Sequence, residues 1–149
     1  YEWVYYAYGL TEIDTTLFGR LYTWHAAVDP RKVCPTGWHL PSQPEWNTLI
    51  ATMGGSTVAG GKLKETGLLN WSSPNTGANN ISGFTAVPGG TRSPAGSCTN
   101  YKNFCYLWSA TQKDATYVWY TAMGYNFEMA YSDVNTLKSV GNGIRCIKD

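Results

Sequence analysis

Two histidines, four cysteines and the acidic residues are the side chains of this chain that could do chemistry. His39 and His25 are the groups whose unperturbed charge changes near neutral pH, so each could serve as a base or a ligand. Neither has a second histidine or carboxylate at metal-ligand spacing. Trp38, Leu40 and Pro41 beside His39 predict a packed imidazole with one buried hydrogen bond. Glu45 follows Ser42 by three residues, and a helix-starting capping box accounts for it without acid–base work. Asp14, Asp29, Asp114, Asp133 and Asp149 form no recognisable catalytic pair. A GxSxG elbow for a serine nucleophile is absent. Gly54-Gly55-Ser56 and Gly89-Gly90 lack the Lys-Ser/Thr ending of a phosphate loop. Calcium-loop spacing is also missing. Asn75, Asn79 and Asn80 could offer carbonyl oxygens, but asparagine-rich stretches ordinarily make turns. The reading is therefore of a chain without catalysis, metal or cofactor.

The cysteines are Cys34, Cys98, Cys105 and Cys146. Zinc favours close CxxC-type pairs, and six residues separate the nearest two here. An even count in a Tyr-, Trp- and Gly-rich chain points instead to disulfides and an oxidising compartment. Four cysteines allow three connectivities. We expect Cys34–Cys146, closing nearly the whole domain, and Cys98–Cys105, stapling one surface loop.

The 149 residues make one domain with a single sizeable core. Aromatic residues reach 15% and charged residues only 14%, well under the roughly 25% of an ordinary domain. Most aromatics are Tyr and Trp, which combine an apolar body with a polar edge and recur at binding surfaces. A net charge of +1 excludes an electrostatic grip on nucleic acid. No apolar run is long enough to span a membrane. The chain begins at Tyr1 without Met or a basic leader, so it reads as a mature or excised fragment.

Tyr1–Leu10 reads as a strand or docked arm, and Gly19–Val28 as strand or short helix. Ser42-Gln43-Pro44-Glu45, then Trp46, Leu49, Ile50 and Met53 on one stripe, predict a helix over 43–53 that ends at Gly54-Gly55. A second helix is expected over about Val58–Glu65. Residues 66–83 read as a long functional or Ω-type loop. Strands are expected over Tyr106–Thr111, Thr116–Tyr125, Phe127–Asp133 and Gly143–Ile147. In the second of these, Tyr117, Trp119 and Thr121 share one face and Val118, Tyr120 and Ala122 the other. Helices first, then antiparallel strands, define an α+β fold.

The run Val33-Cys34-Pro35-Thr36-Gly37-Trp38-His39-Leu40-Pro41-Ser42, followed by Glu45-Trp46 and Leu49, resembles the signature of the Fibrobacter succinogenes major paralogous domain. Further landmarks keep the family's order: Gly19–Trp24, Gly60–Lys64, Gly83–Gly90, Leu107–Thr111 and Val140–Asp149. The resemblance covers roughly residues 17–149. Thr91 departs from it, standing where members often carry an aromatic residue. The resemblance implies a C-type-lectin-like fold: two N-terminal helices, then a twisted antiparallel sheet with long loops. It also implies a secreted, lipid-anchored or surface protein of Bacteroidota or Fibrobacterota without ascribed catalysis. In that fold a disulfide commonly joins the first-helix region to the last strand, in agreement with Cys34–Cys146. Cys98–Cys105 is not part of the family pattern.

The segment from Gln112 to Ser139 is dense in Tyr, Trp, Asn, Thr and Asp, types suited to recognition. In retroelement-diversified receptors of the implied fold, the corresponding strands bear the binding face. By that analogy the ligand residues are Tyr117, Trp119, Tyr125, Asn126, Tyr131, Asp133 and Asn135, while Trp24, Trp38, Trp46 and Trp108 fill the core. The expected function is a non-catalytic extracellular module for a protein or glycan ligand. A filament or cell-surface-layer subunit, with Tyr1–Leu10 as an exchanged strand, is the alternative; an enzyme related to the formylglycine-generating enzymes of the implied fold is a remote third.

Overall fold

Ser42 and Glu45 begin the best-defined helix. In the computed structural model, which describes residues 16–149, the Ser42 N–H and hydroxyl both donate to Glu45 Oε2 at 2.7 Å. The expected arm over Tyr1–Leu10 lies outside the described residues. A short helix α1 (Trp24–Ala27) and a two-residue strand β1 (Trp38–His39) come first. Helix α2 (Gln43–Thr52) follows, with Trp46 and Ile50 buried and Leu49 and Met53 packed beside them, as its stripe predicts. It ends where Gly54 and Gly55 take φ of 99° and 94°, a region that glycine enters without strain.

Helix α3 spans Ser56–Leu63, two residues earlier than expected at each end. Its two glycines are packing devices. A Cβ on Gly60 would collide with the Met129 carbonyl oxygen, and one on Gly61 with the carbonyl of Gly77. Bare backbone therefore lets this helix lie against main chain that any side chain would push away.

Among the described residues β1 is followed by β2 (Thr91–Arg92), β3 (Cys98–Thr99), β4 (Phe104–Gln112), β5 (Tyr117–Gly124), β6 (Ala130–Leu137) and β7 (Ile147–Lys148). They form an antiparallel β4-β5-β6 sheet and two ribbons, β1-β7 and β2-β3. The α+β reading holds. The predicted strand over Gly143–Ile147 reduces to β7, because Gly143 makes only an isolated bridge to Leu107 before the chain turns to β1.

Two apolar clusters lie on opposite faces of the sheet. On the helix face Trp46, Ile50, Ala59, Leu63 and Trp71 meet Cys105, Leu107, Met123 and Ala130. On the other face Trp24, Ala27, Cys34 and Leu40 meet Trp108 and Val118. Among the described residues the buried tryptophans are Trp24, Trp46, Trp71 and Trp108. Trp38, expected among them, is 42% exposed, because its strand pairs with β7 at the surface.

Cys34 and Cys146 form a disulfide with Cα atoms 5.8 Å apart. Cys98 and Cys105 do not pair; both are free thiols. Strand register explains the difference. Cys105 sits on β4 with its side chain in the helix-face core, whereas Cys98 lies half-buried on the β2-β3 ribbon, opposite Arg92. Burial pushes the Cys105 thiol up to about 12, which leaves it protonated and unreactive.

Candidate ligand-binding site

Alternation along β5 and β6 decides which side chains can meet a partner. Trp119 stands directly opposite Asn135, and Tyr117 opposite Leu137. By the two-residue period these four share the helix face with Thr121 and Met123, beyond the end of the helical cover. Tyr117 is 40% exposed and Trp119 is half-buried. Lys113 Nζ lies 5.4 Å from the centre of the Trp119 ring, a cation–π contact that holds the indole. Helix α2 borders the patch. Gln43 N–H donates to Thr111 Oγ1 at 3.0 Å, its side-chain amide donates to the Ser132 carbonyl, and Ser132 Oγ donates to Asn47 Oδ1 at 2.7 Å.

The other predicted residues are distributed elsewhere. Tyr131 stands across the bulged register from Ala122, on the opposite face of the sheet. There it ends a contiguous row of half-buried rings: Tyr120, Tyr106, Phe104, Phe127 and Tyr131, with successive centroids 5.5–6.0 Å apart. Burial raises the Tyr120 phenol and pushes Tyr106 up to about 12, so both act as neutral hydrogen-bonding groups. Tyr125 and Asn126 occupy the β5–β6 turn; Tyr125 packs against the core and Asn126 is exposed. Asp133 is exposed at the bulge of β6. The structure thus brings Tyr117, Trp119 and Asn135 together and separates them from Tyr131. It also adds Phe104, Tyr106 and Phe127; the i, i+2 spacing of Phe104 and Tyr106 was the available signal.

The β5–β6 turn is set by a residue that the sequence reading did not single out. Lys64 is fully buried. Its ammonium donates to the carbonyls of Gly124, Phe127 and Thr76 at 2.8, 2.9 and 2.9 Å. The first two bracket Tyr125 and Asn126; the third belongs to loop 66–83. Burial lowers the amine to about 8, so it remains charged at neutral pH.

The asparagines of that loop serve structure. Asn75 donates to the carbonyls of Glu65 and Gly67, both at 2.9 Å, and Asn79 Oδ1 accepts from Ile81 N–H. Asn80 holds Thr85 through both ends of its amide. No group of three or more His, Cys, Asp or Glu able to hold a metal occurs among the described residues.

His39 differs from its expected packed state. Its side chain is 41% exposed and both ring nitrogens meet carboxylates: Nδ1 lies 2.6 Å from Asp149 and Nε2 2.8 Å from Glu45. It therefore links the last residue to the start of α2. Hydrogen bonds to Asp149 and then Glu45 raise its pKa above the ordinary 6.5. Hydrogen bonds from Ser42, with a smaller contribution from His39, hold Glu45 down to about 2. The histidine contribution is full below pH 6.5 and is lost as pH rises through the raised value. The glutamate contribution is full above its ordinary 4.5 and is lost as pH falls towards 2. The link is thus strongest between pH 4.5 and 6.5. Two-dimensional NMR of the imidazole should show Asp149→Asn lowering the His39 midpoint. The wild-type Tm advantage over His39→Gln should shrink in alkaline buffer; an advantage independent of pH refutes the link.

Fold and site together define a disulfide-tied α+β domain that presents aromatic and amide side chains on a three-stranded sheet. The chain belongs to the Fibrobacter succinogenes major domain family, whose model matches residues 2–148. Comparison with curated proteins and with solved structures gave no match.

Proposed function

We propose that the domain is a non-catalytic extracellular binding module of C-type-lectin-like fold, recognising a glycan or protein through the Tyr117–Trp119–Asn135 patch. The observation that carries this reading is the Trp119–Asn135 pair, half-exposed beyond the helices and ordered by Lys113. An indole gives a flat stacking surface, and an adjacent amide supplies one acceptor and two donors. The Cys34–Cys146 disulfide supports a place outside the cytoplasm, where such bonds form and persist.

Glycan and protein arrays test the reading. Trp119→Ala should lower the signal about tenfold or more, and Asn135→Ala by less, with Tm close to wild type. Blank arrays accompanied by concentration-dependent polymers in light scattering would replace it with the assembly reading.

A further inference from the structure

Among the described residues Trp38 is the most exposed tryptophan, at 42%. It borders a depression of about 280 Å³ between the β1-β7 ribbon and the segment after α1. The volume lies just under the ~300–1,000 Å³ of drug-sized sites, so it suits a small ligand. Ala27, Val28, Val33, Leu40 and Ala110 give it an apolar wall beside the indole. Its polar groups are Asp29, Lys32, His39 and Asp149.

The state of those polar groups narrows the ligand chemistry. Asp29 is held by Arg31, whose backbone N–H donates at 2.9 Å and whose guanidinium donates to both carboxylate oxygens at 2.8 and 3.0 Å. Asp149 is held by His39 through Oδ1, and its N–H donates to the Gly37 carbonyl at 3.0 Å. Each carboxylate is thus oriented and has its countercharge beside it. Such groups still accept hydrogen bonds from hydroxyls, yet offer little net attraction to an ion. Lys32 is exposed and contributes a hydrated ammonium at the rim. A flat indole, an apolar wall and fixed, charge-compensated acceptors suit a ligand with C–H groups on one face and hydroxyl donors at its edge.

We propose that this depression binds a single neutral sugar ring, stacked on Trp38 and donating hydroxyl hydrogen bonds to Asp29 and Asp149. The site shares no residue with the Trp119 patch and goes beyond the function proposed for it. A ring this small, held by one stack and a few hydrogen bonds, binds in the ~millimolar range.

Saturation-transfer NMR with glucose, galactose, mannose and xylose, run in the pH window where His39 is protonated, tests the proposal; glucuronate serves as the charged probe. At least one neutral sugar should show transfer to its ring C–H protons and should shift the Trp38 indole N–H. Trp38→Ala should weaken that binding about tenfold or more. Trp38→Phe should retain part of it, and Asp149→Asn should weaken it. Should Trp38→Ala fail to fold, the wild-type shift of the Trp38 indole N–H on titration with the sugar decides the matter. No transfer from any neutral sugar, undiminished transfer in folded Trp38→Ala, or tighter binding of glucuronate overturns the proposal. A sugar that shifts the Trp119 indole and not that of Trp38 also overturns it, while leaving the Trp119 reading standing.

Discussion

Lys64→Met should destabilise the domain by about 3–5 kcal/mol, because three buried main-chain carbonyls lose their shared donor. Methionine fills a similar volume but donates nothing. The carbonyls of Thr76, Gly124 and Phe127 then lose the ammonium that joins them. An unsatisfied buried acceptor costs about 1–3 kcal/mol. For a domain of this size the change corresponds to a fall in Tm on the order of 10 °C. Lys64→Arg should not restore stability, because a planar guanidinium cannot reproduce three donors converging from one nitrogen. Chemical denaturation gives the magnitude. Hydrogen exchange locates it: protection should fall first in loop 66–83 and at the β5–β6 turn. A loss under about 1 kcal/mol, small beside an unsatisfied buried group, would show that the three carbonyls find other donors.

Cys34→Ser with Cys146→Ser should be comparably severe. The bond spans 112 residues of sequence. Removing a closure of that length costs about 4–5 kcal/mol in the chain-entropy account. Domains commonly have only about 5–15 kcal/mol in total, so the variant should be far less stable than wild type. Reductant alone should reproduce the effect. Thiol counting under denaturing conditions checks the covalent state: Cys98 and Cys105 should react without reductant and all four cysteines with it. Equal stability with and without reductant would refute the prediction.

The parts of the fold legible in sequence were those encoded by neighbours. The Ser42–Glu45 box and the Trp46–Met53 stripe located α2 almost to the residue, because capping and period are local signals. Strands β4 to β6 showed through alternation: β5 shifted by only one residue at each end, while the start of β4 moved by two and the ends of β6 by three and four, where turns and a bulge took over. Long-range partners were not legible. His39 and Asp149 are 110 residues apart, so no spacing rule pairs them. Trp38 looks like core beside Leu40 and Cys34, yet β7 arrives from the far end of the chain and leaves it at the surface. Cys98 and Cys105 are close enough in sequence for a staple, but the pleat turns one of them into the core. For the site, alternation did place Trp119 beside Tyr117; cross-strand register was needed to add Asn135 and to send Tyr131 to the other face. Lys64 gave no local sign of burial. The adjacent Gly60 and Gly61 were the hint, marking a helix face that approaches other backbone.

That approach has a consequence for how freely the molecule can change. The segment from Gly124 to Met129 is gripped largely through its main chain. Lys64 takes the carbonyls of Gly124 and Phe127, Gly61 N–H takes that of Glu128, Thr76 N–H takes that of Tyr125, and Gly60 leaves room for the Met129 oxygen. Tyr125 N–H in turn donates to Asn103. Every amino acid other than proline carries these same backbone groups. The exposed side chain at Asn126 is therefore spared most of the work of holding the turn, whereas Glu128 lies against Gly77 and its negative charge favours the Lys64 ammonium. Evolution can rewrite position 126 with little penalty to the scaffold, so new surface chemistry can be tried at this corner while the supports beneath it stay fixed.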